Sequence, residues 1–163
     1  MRQSILTLIF LVFCLSCQKK DEVSFSDKAL KSSFVSLENE ITTLEEILNQ
    51  YKGKKILIDV WASWCGDCIK GLPALVKVQK QYPNTVYLFL SIDESLEDLK
   101  SGITKYGLSG EHYLSPSGWK GDFSEFLDLD WIPRYLLINE SGTIEVFNAV
   151  KANDKRILKA IKK

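Results

Sequence analysis

Histidine is all but absent from this chain: His112 is the only one. A single imidazole makes a histidine-rich metal centre an unpromising reading. Net charge is missing as well, because 21 basic side chains balance 21 acidic ones. That balance removes the basic footprint expected of a nucleic-acid binder and the acidic bias of a disordered tail. Cysteine is scarce, at four residues, too few for a small scaffold stapled by disulfides. No internal repeat or low-complexity stretch is present. What remains is 163 residues, 45% of them hydrophobic, enough for one domain with a sizeable core.

The cysteines Cys14, Cys17, Cys65 and Cys68 form two C-x-x-C spacings, but the first pair belongs to a different kind of segment. Arg2 precedes an almost unbroken apolar run over residues 5–15. At about 1.5 Å per residue this run spans roughly 16 Å, about half of a hydrocarbon core of ~30 Å. A basic start followed by a short apolar run reads as a secretory signal, here residues 1–16, rather than a membrane span. Cys17, after Leu15-Ser16 and before Gln18-Lys19-Lys20-Asp21-Glu22, resembles the lipidated cysteine of a bacterial lipobox, although Cys14 stands where leucine is usual. The following polar residues resemble the export tag of Bacteroidota surface lipoproteins. This organisation predicts a lipidated N-terminus and tether over residues 17–32 and a domain over residues 33–163. The expected location is outside the cytoplasm, on the periplasmic face or outer surface of a membrane, where a disulfide can persist.

Within the domain, Phe34, Val35 and Leu37 suit a short strand. Thr43 and Glu46 form a capping-box pattern ahead of a helical stripe of Leu44, Ile47, Leu48 and Tyr51. Residues 56–61 read as a buried central strand, with Asp59 the one carboxylate in an apolar run. Helical periodicity begins at Gly66 and contains Pro73. A strand over residues 85–92 and a helix through Leu96, Leu99, Ile103 and Tyr106 come next, the latter closed by Gly107. A short strand over residues 111–114, a loop over 115–121, a hairpin of residues 135–139 and 143–147, and a C-terminal helix complete the chain. The order predicts one α/β domain with a mixed sheet.

The segment Trp61-Ala62-Ser63-Trp64-Cys65-Gly66-Asp67-Cys68 falls at a strand-to-helix junction. Two cysteines at this spacing can close a disulfide with little backbone movement. At a helix N-terminus the first thiol meets unpaired N–H groups and the positive end of the dipole, both of which favour the nucleophilic thiolate. A static disulfide or half of a metal site is the plainer alternative.

The W-C-x-x-C junction resembles the active site of the thioredoxin superfamily. Asp59, six residues before Cys65, and Pro73, eight after it, stand at thioredoxin spacing, and Ile132-Pro133 resembles the segment whose cis-proline faces the dithiol. The extracytoplasmic context, the additional segment over residues 94–121 and the run beginning Ile132-Pro133-Arg134-Tyr135 most resemble the membrane-anchored TlpA/ResA branch. The resemblance implies a thioredoxin-like fold, a mixed β-sheet flanked by helices with a β-α insertion between the C-x-x-C helix and the cis-proline strand. It also implies a thiol–disulfide oxidoreductase, acting as a reductant of protein disulfides and re-reduced by a membrane electron donor. Cys65 is then the nucleophile, Cys68 the resolving thiol, Asp59 the candidate acid/base and Pro133 the substrate-positioning residue. Trp64, Trp131 and Ile132 are expected to form an apolar docking surface. No metal or cofactor is expected beyond the Cys65–Cys68 pair itself, no nucleic-acid partner, and a monomer.

Gly66-Asp67 departs from the Gly-Pro or Glu-Pro commoner between such cysteines. Asp67 places a negative charge beside the dithiol, which disfavours the thiolate and makes the pair more reducing. Arg134 acts in the opposite sense if its guanidinium reaches the sulfurs. The lysine that partners the buried aspartate in thioredoxins is missing, since residues 85–92 contain none. A peroxidase of the related peroxiredoxin type needs P-x-x-x-T-x-x-C, but Ile58 and Ala62 occupy those positions. A non-catalytic binding or holdase module is the remaining alternative, and the intact cysteines and Pro133 speak against it.

Overall fold

Residues 24–162 are described by the structure, a computed structural model; Cys14, Cys17 and the signal and lipidation readings lie outside them. In chain order the elements are α1 (Asp27–Leu30), β1 (Ser33–Ser36), β2 (Ile41–Thr43), α2 (Leu44–Gln50), β3 (Ile56–Trp61), α3 (Gly66–Gln81) and β4 (Val86–Ser91). They continue as α4 (Leu96–Tyr106), β5 (Glu111–Leu114), α5 (Asp122–Phe126), β6 (Arg134–Ile138), β7 (Ile144–Ala149) and α6 (Lys155–Ala160). The strands form one sheet ordered β2-β1-β5-β4-β3-β6-β7.

Every residue of β3 is buried, which explains the unbroken apolar run: the strand is covered on both faces and flanked by strands on both sides. It pairs in parallel with β4 and antiparallel with β6, giving the mixed sheet expected. Leu57, Ile58 and Val60 join Leu88, Phe89 and Leu90 of β4 and Leu136 and Leu137 of β6 in the core. Burying side chains of this kind stabilises by about 1.5–3 kcal/mol each before conformational entropy is counted.

Local signals explain the helix ends. The Thr43 hydroxyl accepts from Glu46 N–H at 3.2 Å, and the Glu46 carboxylate accepts from Thr43 N–H at 2.8 Å, completing the capping box. Gly107 ends α4 in the left-handed region at φ 61°, where a side chain would be strained. The helix α3 continues through Pro73.

Three short elements differ from expectation. Residues 24–31, expected as tether, are partly folded: the Ser26 hydroxyl accepts from Ala29 N–H at 3.2 Å, Ala29 is fully buried, and Phe25 lies 5.3 Å from Phe126 between ring centroids. One turn of helix with a single buried alanine is too brief to show a period. The strand β2 was hidden because Thr43 both ends it and caps α2, and because Ile41 is exposed at the sheet edge. The helix α5 is five residues long, under two turns.

Candidate active site

The chain leaves the C-terminal end of β3 through Ala62-Ser63-Trp64 and enters α3 with Cys65 as its N-cap. The loop between is fixed from the side. Asp93, buried just beyond β4, accepts from Ser63 N–H at 2.9 Å and from the Ser63 hydroxyl at 2.8 Å. Its second oxygen accepts from the Ser91 hydroxyl at 2.6 Å. The Tyr106 hydroxyl of α4 donates to Ser63 C=O at 3.3 Å. Gly102 of α4 comes so close that an added Cβ would lie 2.6 Å from Ser63 Cβ, so the helix can approach here only without a side chain.

Cys65 and Cys68 are joined in a disulfide with Cα atoms 5.3 Å apart. Cys68 N–H donates to Cys65 Sγ at 3.0 Å, placing that sulfur against the first free amides of α3. The same geometry favours negative charge on Cys65 once the disulfide opens. Cys65 Sγ also lies 3.7 Å from the Ile132 carbonyl oxygen, next to the cis Ile132-Pro133 bond. The fold thus brings Pro133 to Cys65 and Cys68, which lie far from it in sequence.

Asp59 is on β3, and its directly opposed residue on β6 is Tyr135, so the two side chains share a face of the sheet. That face lies under α3: a Cβ on Gly71, one turn after Cys68, would meet the Tyr135 hydroxyl at 3.8 Å. Asp59 is buried, and loss of solvation pushes its carboxyl up to about 7 from an ordinary 3.8, with the Tyr135 hydroxyl pulling the other way. Burial and the neighbouring Asp59 charge drive the Tyr135 phenol far above its usual range. The contact between them falls short of ordinary hydrogen-bond geometry, leaving Asp59 Oδ1 and Tyr135 Oη both unsatisfied among the described residues.

A cavity of about 450 Å³ opens beside this pair, with Gly71, Ala74, Trp131, Pro133 and Tyr135 in its walls and Asp67, Lys70 and Lys151 among its polar lining. Trp64 and Trp131 are each 55% exposed and Trp119 43%, with Trp64 and Trp119 ring centroids 6.4 Å apart. Ile132 corrects the apolar-surface expectation. Its side chain is buried, so it offers the site its carbonyl rather than an apolar face.

The two charges expected near the sulfurs are both engaged. Asp67 pairs with Lys70 at 3.1 Å on the exposed side of α3. Arg134 donates to Leu127 C=O at 2.8 Å and to the Asp130 carboxylate at 3.0 Å, and neither bond involves a cysteine. Its guanidinium braces the segment ahead of Pro133.

Comparison with known proteins agrees with this geometry. The family model described as Redoxin matches residues 26–161. The chain belongs to the redoxin family. A solution structure described as a thiol-disulfide oxidoreductase from Bacteroides vulgatus superposes with a TM-score of 0.68 at 27% identity, covering 85% of this chain and 89% of that one. The thioredoxin-like protein YneN of Bacillus subtilis is 26% identical over 132 residues, 77% of this chain and 73% of its own length. Sporulation thiol-disulfide oxidoreductase A of the same organism is 24% identical over 103 residues, 62% of each chain. Within the redoxin family, the fold and the C-x-x-C pair identify a thioredoxin-like disulfide oxidoreductase of the TlpA/ResA-like kind.

Sequence reading missed Asp93, Tyr106 and Tyr135. Asp93 had a faint signal, an acidic residue directly after an apolar strand. Tyr135 looked like one more apolar strand residue, and only the β3–β6 register reveals its partner.

Proposed function

We propose that the protein reduces disulfides of other proteins outside the cytoplasm, cycling Cys65-Gly66-Asp67-Cys68 between dithiol and disulfide. The observation that carries this reading is the Cys68 N–H on Cys65 Sγ at the start of α3, beside the Ile132 carbonyl. Cys65 thiolate attacks one sulfur of the substrate disulfide, forming a mixed disulfide and expelling the other sulfur as a thiolate. Asp59 takes the proton from Cys68, whose thiolate attacks Cys65 Sγ, restores the Cys65–Cys68 disulfide and releases the second substrate thiolate. The released thiolates take protons from solvent.

Pro133 and the Ile132 carbonyl position the substrate chain, and the exposed rings of Trp64 and Trp131 supply apolar contact. Gly66 and Asp67, the residues between the cysteines, contribute to redox tuning, with Asp67 a minor contributor because Lys70 pairs with it. Arg134 acts on the loop before Pro133. A membrane electron donor returns the pair to the dithiol, and the chain works as a monomer held to the membrane by lipid on Cys17. The basic start, the short apolar run and Cys17 support the export and anchoring part of this reading.

The equilibrium reduction potential against glutathione tests the direction of transfer. A value near thioredoxin's, about −270 mV, supports a reductant, whereas one near about −120 mV, typical of strong oxidants, contradicts it.

A further inference from the structure

We propose that Tyr135 is a positioning and proton-relaying residue for Asp59, occupying the role for which this sheet has no lysine. The proposal rests on the reading of Asp59 as the acid/base for Cys68 and adds a residue to it.

Four observations carry it. Asp59 and Tyr135 are directly opposed across the β3–β6 ladder, so backbone pairing fixes their relative position. Both are buried, and among the described residues neither Asp59 Oδ1 nor Tyr135 Oη has an ordinary hydrogen-bond partner, so each presents unused capacity to the other. Burying both groups without a partner is unfavourable, which a phenol-to-carboxylate bond relieves when Asp59 ionises. Finally, Tyr135 lines the cavity beside Pro133, whereas Asp59 does not. The phenol, its own oxygen still buried, is therefore the nearer of the two groups to the cavity.

The proton balance is simple. During resolution Asp59 takes one proton from Cys68. To reset, the Asp59 carboxylic acid passes that proton to Tyr135 Oη while the phenol releases its own to a water molecule that reaches it from the cavity when the side chains at the wall move. Asp59 ends as carboxylate, Tyr135 ends as a neutral phenol, and no electrons move. Around this pair, β4 contributes the apolar Phe89 opposite Asp59, and α3 contributes Cys68. The charged groups at the cavity are Asp67, Lys70 and Lys151.

The test uses the full-length reduced protein and 5,5′-dithiobis(2-nitrobenzoic acid). Attack by Cys65 releases one thionitrobenzoate, and resolution by Cys68 releases the second, so the second phase isolates the step in which Asp59 acts. In the wild type its rate inflects near neutral pH. Tyr135→Phe removes the bond that favours the carboxylate and is expected to move the inflection up by about one unit, slowing resolution about fivefold at pH 7. Difluorotyrosine at position 135 keeps the packing and donates more strongly, so it is expected to move the inflection down. Asp59→Asn should abolish it. If Asp59→Asn abolishes the inflection but both changes at Tyr135 leave it in place, the proposal fails and the reading of Asp59 stands. If Asp59→Asn keeps the inflection, the reading of Asp59 fails and the proposal fails with it. Should Tyr135→Phe not fold, the difluorotyrosine shift decides alone: a downward move supports the Tyr135–Asp59 bond on which the proposal depends, and an unmoved inflection refutes it.

Discussion

Asp93 holds Ser63 by both its main-chain and its side-chain donors, across the space between the ends of β4 and β3. Ser63 lies two residues before Cys65, so this grip fixes the approach of the chain to the C-x-x-C pair. Asp93→Ala leaves Ser63 N–H and the hydroxyls of Ser63 and Ser91 without their acceptor. The expected loss of stability is about 3 kcal/mol, since each buried unsatisfied group costs about 1–3 kcal/mol and water recovers part of it. Denaturant unfolding measures this loss, and the rate of disulfide reduction should fall together with it.

Asp59 and His112 give the acid limb of the stability curve two opposing slopes. For Asp59 the folded carboxyl sits near 7 and the unfolded one near 3.8, so the folded state binds more protons between these values. Stability from this group is full below about pH 4 and is lost as pH rises to about 7, a change on the order of 4 kcal/mol. Asp59→Asn in the oxidised protein removes that loss. Stability, measured by unfolding from pH 4 to 8, should then rise with pH where the wild type is nearly flat.

His112 works in the other direction. It is stacked on Phe89 with centroids 4.6 Å apart, neither ring nitrogen has an ordinary partner among the described residues, and burial drives it down to about 4 from 6.5. The unfolded state binds more protons between those values, so stability is lost as pH falls from about 6.5 to 4, on the order of 3 kcal/mol. His112→Phe should remove this acid sensitivity while keeping the stack. A melting series on that variant should show stability falling from pH 4 to 7, the slope left by Asp59. Unchanged curves for both variants would contradict the burial argument.

Asp67 has less influence on the dithiol than its position in sequence suggests. Its pairing with Lys70 is exposed, and such pairs contribute about 0–1 kcal/mol. Asp67→Asn should therefore shift the reduction potential by at most about 20 mV. A shift several times larger would mean that the carboxylate acts directly on Cys65.

The sequence carried the frame of the site because its parts are local or regularly spaced. The all-apolar run around Asp59 marks a strand covered on both faces, and Cys65 at a strand-to-helix junction marks a helix N-terminus. Ile132-Pro133 was legible through family resemblance, and the cis bond there agrees with it. What stayed hidden depends on contacts between distant segments. Nothing local says that Tyr135 opposes Asp59 or that Asp93 grips Ser63, and Arg134 found its partners in Leu127 and Asp130 rather than near the sulfurs. The burial of the Ile132 side chain was equally non-local.

The central claim is that Cys65 attacks protein disulfides and Cys68 releases them. Trapping tests it most directly: Cys68→Ala protein is expressed in the cell, thiols are blocked by acid quench and alkylation, and adducts are resolved without reductant. The account predicts covalent, reductant-sensitive adducts with disulfide-containing proteins outside the cytoplasm, absent when Cys65→Ala is added. No adducts with Cys68→Ala, or the same adducts persisting without Cys65, would contradict it.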